Sequence, residues 1–295
     1  MPAGIIIKGI GGFYYVKIAE TVFECKARGL FRKDAITPLP GDMVNISVID
    51  ESKKTGYIEE ILPRHSQLVR PAVANVNQLG VVIAVKSPDP DFILVDKLLV
   101  TAGFKGLDSF ICINKIDLDA DEEYKKIIRA YEKAGYRYVL LSSKRDVGFG
   151  DLKCFLRNRI TVLAGQSGVG KSTILNRILN TWIMDTGEIS DKIKRGRHTT
   201  RHAELVELEE GGYIVDTPGF SNLELLEIEC RELESLFPEF GSYRDKCRFS
   251  GCSHINEPDC GVKDALEKDL IDIGRYRRYV EFYNSIKQVR EYKKK

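Results

Sequence analysis

The chain has 295 residues, 43% of them hydrophobic and 30% charged, which suits two or three folded domains and excludes a broadly disordered chain. Lys and Arg number 45 against 43 Asp and Glu, a formal charge of +2 that by itself names no partner. No apolar run approaches the ~20 residues that span a bilayer, and Met1–Ile10 lacks the basic start and cleavage site of a secretory leader, which predicts a cytoplasmic protein.

Residues 1–65 predict a small barrel of the OB or SH3 type. Gly4–Ile10, Phe13–Ala19, Val22–Ala27, Met43–Ile49 and Tyr57–Leu62 are rich in Ile, Val and aromatics, and Gly11-Gly12, Pro40-Gly41-Asp42 and Thr55-Gly56 punctuate them. Phe13, Tyr14, Tyr15 and Phe31 accompany Lys26, Arg28, Arg32 and Lys33, a mixture that suits either a barrel core or an RNA-stacking face.

Residues 66–222 alternate short apolar strands (Gly80–Val85, Phe110–Ile113, Tyr138–Leu141, Ile160–Ala164) with helical patterns at Phe92–Thr101, Asp121–Ala134, Gly150–Asn158 and Ser172–Asn180. Ala203–Leu208 and Tyr213–Val215 follow as a hairpin. Buried strands with intervening helices predict a mostly parallel sheet covered on both faces.

Residues 223–295 read as helical. Leu223–Phe237 predicts an acidic helix, and Asn222–Phe240 holds six Glu against one Arg. Val262–Glu267 and Ile273–Tyr292 are the other helices. Arg275–Lys295 carries eight basic and two acidic residues, either a solvated helix face or a surface for nucleic acid.

The chemistry sits in four motifs. Gly165-Gln166-Ser167-Gly168-Val169-Gly170-Lys171-Ser172 fits G-x-x-x-x-G-K-[ST] between a strand and a helix, and Thr173 extends it. Its glycines let backbone N–H groups face phosphate oxygens, at the positive end of the following helix. Lys171 is the candidate for the β- and γ-phosphates and Ser172 for Mg²⁺. Asp216-Thr217-Pro218-Gly219 ends a strand, as a Mg²⁺-linked Asp216 and a γ-phosphate-sensing Gly219 require. Gly196-Arg197-His198-Thr199-Thr200 lies between them, and either Thr199 or Thr200 completes the Mg²⁺ shell.

Asn114-Lys115-Ile116-Asp117 fits the guanine-selective N-K-x-D. Asp117 can accept both N1–H and the exocyclic amine of guanine, a pair that adenine lacks. Asn114 would brace the loop and the Lys115 stem would cover the ring. Ser142-Ser143-Lys144 resembles the loop that meets guanine O6. Asn114 and Asp117 argue against an ATP-dependent kinase. Both base loops precede the phosphate loop, so the motif order is circularly permuted. All these loops can still cluster at the carboxyl edge of one parallel sheet.

Cys247, Cys252, His254 and Cys260 supply the Cys₃His set of a structural zinc site with no open position, the alternative being buried free thiols. Phe220 follows Gly219, where Ras-like enzymes keep a water-orienting Gln. His198 is the nearest residue able to orient water, the bland alternative being a solvated loop histidine.

The motif order, Gly196–Thr200, D-T-P-G followed by Phe220, and C-x4-C-x-H-x5-C together resemble the circularly permuted GTPases of the RsgA (YjeQ) family over essentially the whole chain. The resemblance implies three parts: an OB-type barrel at 1–65, a permuted P-loop GTPase domain at 66–222 and a mainly helical zinc-binding region at 223–295. It further implies binding to the small ribosomal subunit and its rRNA late in assembly, faster GTP hydrolysis when bound, and a part for the switch I histidine His198. The expected ligands are GTP and GDP, Mg²⁺ and one structural Zn²⁺, in a monomer without membrane attachment. The alternative function is an RNA-binding protein that uses GTP or GDP mainly as a conformational ligand.

Overall fold

Alternation of apolar and polar residues builds the first strands. β1 (Ala3–Ile10), β2 (Phe13–Ile18), β3 (Thr21–Ala27), β4 (Met43–Asp50) and β5 (Thr55–Ile61) turn Ile6, Val16, Phe23, Cys25, Val44, Ile46 and Ile58 into one buried cluster. The strand order is β1-β2-β3-β5-β4, and β1 also pairs with β4, which closes a five-stranded barrel. A short pair, β6 (Gln67–Leu68) and β7 (Val73–Ala74), follows.

A computed structural model describes residues 1–29, 31, 36–179, 203–216 and 228–293, with the side chains of 216 and 291–293 outside that description. It forms two compact units. The first comprises the barrel through residue 78, residues 152–163, and the hairpin of β12 (Glu204–Glu207) and β13 (Tyr213–Asp216). There β1 pairs antiparallel with β12 at Lys8 and Glu204, and Lys8 and Glu204 also form a 2.6 Å ion pair.

The second unit comprises residues 79–151, 164–174 and the C-terminal region. β8 (Gln78–Ala84), buried along its whole length, lies beside β9 (Asp108–Asn114), which pairs in parallel with β10 (Arg137–Leu140). Helices α1 (Phe92–Phe104) and α2 (Tyr124–Lys133) alternate with these strands, and α3 (Phe149–Leu156) follows β10. β11 (Ile160–Ala164), which the first unit holds as far as residue 163, leads into a loop and α4 (Lys171–Ile178), whose first four residues belong to the second.

The C-terminal region differs from expectation in two respects. The acidic segment is described from residue 228, where α5 (Cys230–Leu233) is only one turn long, capped reciprocally by Glu229 and Glu232. Tight turns then run to Phe240, because Pro238 cannot continue a helix and holds Phe237 in an extended conformation (φ −109°, ψ 90°). After α6 (Gly261–Glu267), the basic helix α7 (Ile273–Lys293) buries Arg275, Tyr279, Phe282 and Ile286 at helical spacing against Leu233, Phe237, Phe240 and Val262.

The basic run, as far as residue 290, is therefore not a free tail. Arg275 donates to Glu239 at 2.5 and 3.1 Å and to Asp96 of α1 at 2.6 Å, and Arg278 also donates to Asp96. The Arg275 guanidinium lies over the rings of Tyr131, Tyr136 and Phe237. Arg277 and Lys287 remain exposed.

Candidate active site and metal centre

Two loops that follow neighbouring strands form the first part of the site. Asn114 ends β9, and Lys115 takes a left-handed conformation (φ 62°) that turns the chain into Ile116–Leu118. Ser142 is buried after β10 and closes a small loop with Val147 through reciprocal backbone bonds of 3.2 and 3.0 Å. The Ser142 hydroxyl accepts from the Arg145 N–H at 3.1 Å and donates to Asp117 Oδ1 at 2.6 Å. Asp117 is thereby held in one orientation. Among the described residues, Asn114 Oδ1 and Ser143 Oγ are buried without a hydrogen-bond partner. Such orphaned atoms fit a polar ligand, since leaving them unpaired costs about 1–3 kcal/mol each.

The phosphate loop packs against these residues. Asn114 Nδ2 donates to the Val169 carbonyl at 2.8 Å, and Lys115 Nζ donates to the Gly168 carbonyl at 2.8 Å and to the Ser87 carbonyl. The close approach needs glycine. Gly170 has φ +99°, and a Cβ there would lie 2.5 Å from Asn114 Nδ2; a Cβ at Gly165 (φ +150°) would strike the Val82 carbonyl.

Lys171 Nζ caps the Gly165 and Gln166 carbonyls at 2.7 Å each. Burial lowers its pKa, so an anion beside it would be met by a cation short of solvation. Ile174 N–H makes the first bond of α4, to the Gly170 carbonyl at 2.9 Å. The N–H groups of Lys171, Ser172 and Thr173 therefore belong to the unbonded helix start, with Ser167 and Gly168 exposed at the loop's crest.

The structure thus brings together Asn114, Lys115, Asp117, Ser142, Ser143 and the Gly165–Thr173 loop. Lys144 follows in the 142–147 loop. Asp216 ends β13, with its side chain outside the described residues; His198, Thr199, Thr200 and Gly219 lie outside them altogether.

The second cluster is metal-like. The ligand atoms of Cys247, Cys252, His254 and Cys260 all lie within 4.8 Å of one another. Cys247 Sγ is 3.8 Å from Cys260 Sγ and 3.5 Å from His254 Nδ1, which is 3.3 Å from Cys260 Sγ. Zinc bonds of about 2.3 Å to sulfur and 2.0–2.1 Å to nitrogen imply tetrahedral edges of about 3.8 and 3.5 Å. The donor set and its spacing fit zinc. Burial pushes the Cys252 thiol up to about 12, so a metal binding there must displace protons.

Sequence reasoning missed the supports of this cluster. His254 Nε2 lies 2.8 Å from Glu234 Oε2. Glu257 accepts from the N–H groups of Ser253, Ile255 and Asn256 and from the Ser253 hydroxyl. The Tyr276 and Tyr279 hydroxyls donate to the His254 and Ser253 carbonyls at 2.7 and 2.8 Å. Nothing in the acidic run distinguishes Glu234 from its neighbours before folding.

On the barrel, period-two alternation resolves the aromatic residues. Tyr14 and Phe31 pack on the core, whereas Phe13 carries Lys26 over its ring at 5.0 Å. Phe13, Lys26 and the exposed Tyr57 pair in one row across β2, β3 and β5. Arg32 and Lys33 lie outside the described residues.

A P-loop joined to a guanine-type base loop that precedes it in the chain defines a circularly permuted GTPase. The chain belongs to the RsgA GTPase family, whose profile matches residues 61–226; the RsgA N-terminal domain profile matches residues 3–58. It is 56% identical to the small ribosomal subunit biogenesis GTPase RsgA of Ruminiclostridium cellulolyticum, over 100% of this chain and 97% of that protein. Identity to the protein of the same name from Alkaliphilus metalliredigens is 48%, over 99% and 100%. Among solved structures, YjeQ from Thermotoga maritima is similar with a TM-score of 0.83 at 38% identity, covering 97% of this chain and 98% of that one. YloQ, described as a circularly permuted GTPase, gives 0.83 at 36% identity, covering 98% and 96%. The protein is accordingly a GTP hydrolase.

Proposed function

We propose that this chain hydrolyses GTP during biogenesis of the small ribosomal subunit, with turnover gated by rRNA. The observation that carries the reading is the pair of bonds from Asn114 and Lys115 to the Val169 and Gly168 carbonyls, which joins base recognition to phosphate binding. In it Asp117 reads the guanine edge, Asn114, Ser142, Ser143 and Lys144 frame the base, and the Lys115 stem covers it. Gly165–Gly170 cradle the phosphates. Lys171 exchanges its two carbonyl partners for β- and γ-phosphate oxygens, while Thr173 lies at the same helix start. Ser172 would hold Mg²⁺, which when bound neutralises charge developing on the transferred phosphoryl group. Asp216, Gly219 and one of Thr199 or Thr200 keep their sequence-based roles, as does His198 toward the attacking water.

Residues 1–65, 66–222 and 223–295 act as RNA-binding, GTPase and metal-binding parts in this reading. Phe13, Tyr57 and Lys26 are the barrel groups suited to stacked bases and phosphates. Cys247, Cys252, His254 and Cys260 would hold one Zn²⁺, which supplies folding energy and no chemistry because no ligand position is open. No helix of the described residues is long and apolar enough to cross a membrane, and the working place is the cytoplasm, as a monomer.

GTP turnover with and without purified small subunits tests this. We expect stimulation of at least about tenfold, since ordering a displaced catalytic group by ~1 Å is worth about 100-fold. His198→Ala should lose most of that stimulation while still binding GTP. Unstimulated turnover would favour the nucleotide as a conformational ligand.

A further inference from the structure

We propose that His254 ligates the metal through Nδ1, and that Glu234 is the positioning residue that fixes this choice by holding the proton on Nε2. The inference rests on the zinc reading above. A zinc-bound imidazole binds through its unprotonated nitrogen, and the other nitrogen donates its proton to an outer partner. Here the two nitrogens have different neighbours. Nδ1 lies 3.5 and 3.3 Å from the sulfurs of Cys247 and Cys260, whereas Nε2 lies 2.8 Å from Glu234 Oε2. A carboxylate can only accept, so the proton belongs on Nε2 and the Nδ1 lone pair faces the sulfurs.

Chain geometry leads to the same nitrogen. His254 stands one residue beyond Ser253, the neighbour of Cys252, and takes a left-handed conformation (φ 60°). That places its ring close to the sulfurs, where the nitrogen nearer the backbone reaches them. The conformation is held from both sides. Glu257 gathers the N–H groups of Ser253, Ile255 and Asn256, and the Tyr276 and Tyr279 hydroxyls hold the His254 and Ser253 carbonyls. Phe240 meets the imidazole edge-on at 5.7 Å between ring centres, which restricts its rotation. A ring so confined cannot flip to offer Nε2 without losing Glu234.

Glu234 comes from the turns after α5, 20 residues before His254 in the chain. Metal binding is therefore tied to the seating of the acidic segment as well as to the loop that carries the ligands.

The test uses full-length, zinc-loaded protein labelled with ¹⁵N and read by long-range proton–nitrogen correlation of its 4 histidines. The expected result is one ring with a protonated Nε2 and a metal-shifted Nδ1, present in the unmodified protein and lost when the metal is stripped. Zinc affinity, measured by chelator competition, should fall about 10- to 100-fold in Glu234→Ala. Glu234→Gln keeps an acceptor oxygen and should recover most of that loss. Asp245→Asn removes an exposed charge two residues from Cys247 and should change nothing, which separates positioning from bulk charge. Zinc bound through Nε2, or unchanged affinity in Glu234→Ala, overturns this inference alone. Elemental analysis that finds no zinc overturns it together with the zinc reading.

Discussion

Asn114 and Val169, 55 residues apart in the chain, are joined by a 2.8 Å hydrogen bond from a side-chain amide to a backbone carbonyl. The bond makes the end of β9 and the crest of the phosphate loop one object, so base and phosphate recognition stand or fall together. Asn114→Ala should weaken GTP and GDP alike, by roughly 5- to 30-fold for the ~1–2 kcal/mol of one buried bond. Calorimetric titration of both nucleotides checks it, and loss confined to one of them would contradict it.

Asp117→Asn should weaken guanine nucleotides and favour xanthine nucleotides, whose exocyclic carbonyl replaces the amine. Ser142→Ala should give a milder loss for guanine without the switch, because the hydroxyl only holds Asp117 in place at 2.6 Å. Competition among GTP, XTP and ATP separates the two. ATP competing as well as GTP in the unmodified protein would remove the assignment.

Lys171→Ala and Ser172→Ala should each cut hydrolysis by orders of magnitude while leaving the fold intact, since Lys171 caps loop carbonyls and neither residue is part of the buried core. Phosphate release and thermal melting, measured on the same samples, give the two readouts.

Arg275→Ala leaves the buried Glu239 without its counter-ion and Asp96 with Arg278 alone, and should destabilise the second unit by about 3–5 kcal/mol. Truncation before residue 275 should abolish its folding, so it cannot be read as removal of an RNA-binding tail. Reversing the exposed Arg277 and Lys287 to Glu is the proper probe: it should weaken subunit binding in a salt-dependent way with little loss of stability.

Acid stability has a defined sign at Glu257. Burial works to raise its carboxyl, but hydrogen bonds from the Ser253 hydroxyl and N–H and from Ile255 N–H outweigh it and hold the group at about 2 against an ordinary 4.5. A depressed carboxyl stabilises the fold above the unfolded value and loses that contribution as pH falls through the folded one. The stability gap between the parent and Glu257→Gln should be full above about pH 4.5 and close toward pH 2. Urea titrations across that range check it, and a gap that widens on acidification would refute it.

The motifs were legible because their chemistry constrains neighbours in sequence: Gly165, Gly168 and Gly170 need open backbone angles within one loop, and Asn114 and Asp117 belong to one turn. Strands β1 to β5 announced themselves by alternation, and the same alternation, once registered, separates Phe13 from Tyr14. What escaped were relations between distant residues. A basic run looks solvated until Asp96 and Glu239 are seen to surround Arg275. Glu234 is one of many glutamates until its oxygen meets His254. Composition favours helix through Phe237, whereas Pro238 acts on the residue before it, so the described part of the acidic segment is α-helical only over Cys230–Leu233.

The Arg275–Asp96 pair has a meaning in time as well as in space. Asp96 leaves the site of synthesis 179 residues ahead of its counter-ion. Throughout that interval α1 carries a carboxylate that cannot enter an apolar interior, so its final packing waits for α7. A chain cut short before Arg275 should keep that surface open, and limited proteolysis beside the full-length protein would show it. The ion pair thereby ties the sealing of α1 to the synthesis of α7.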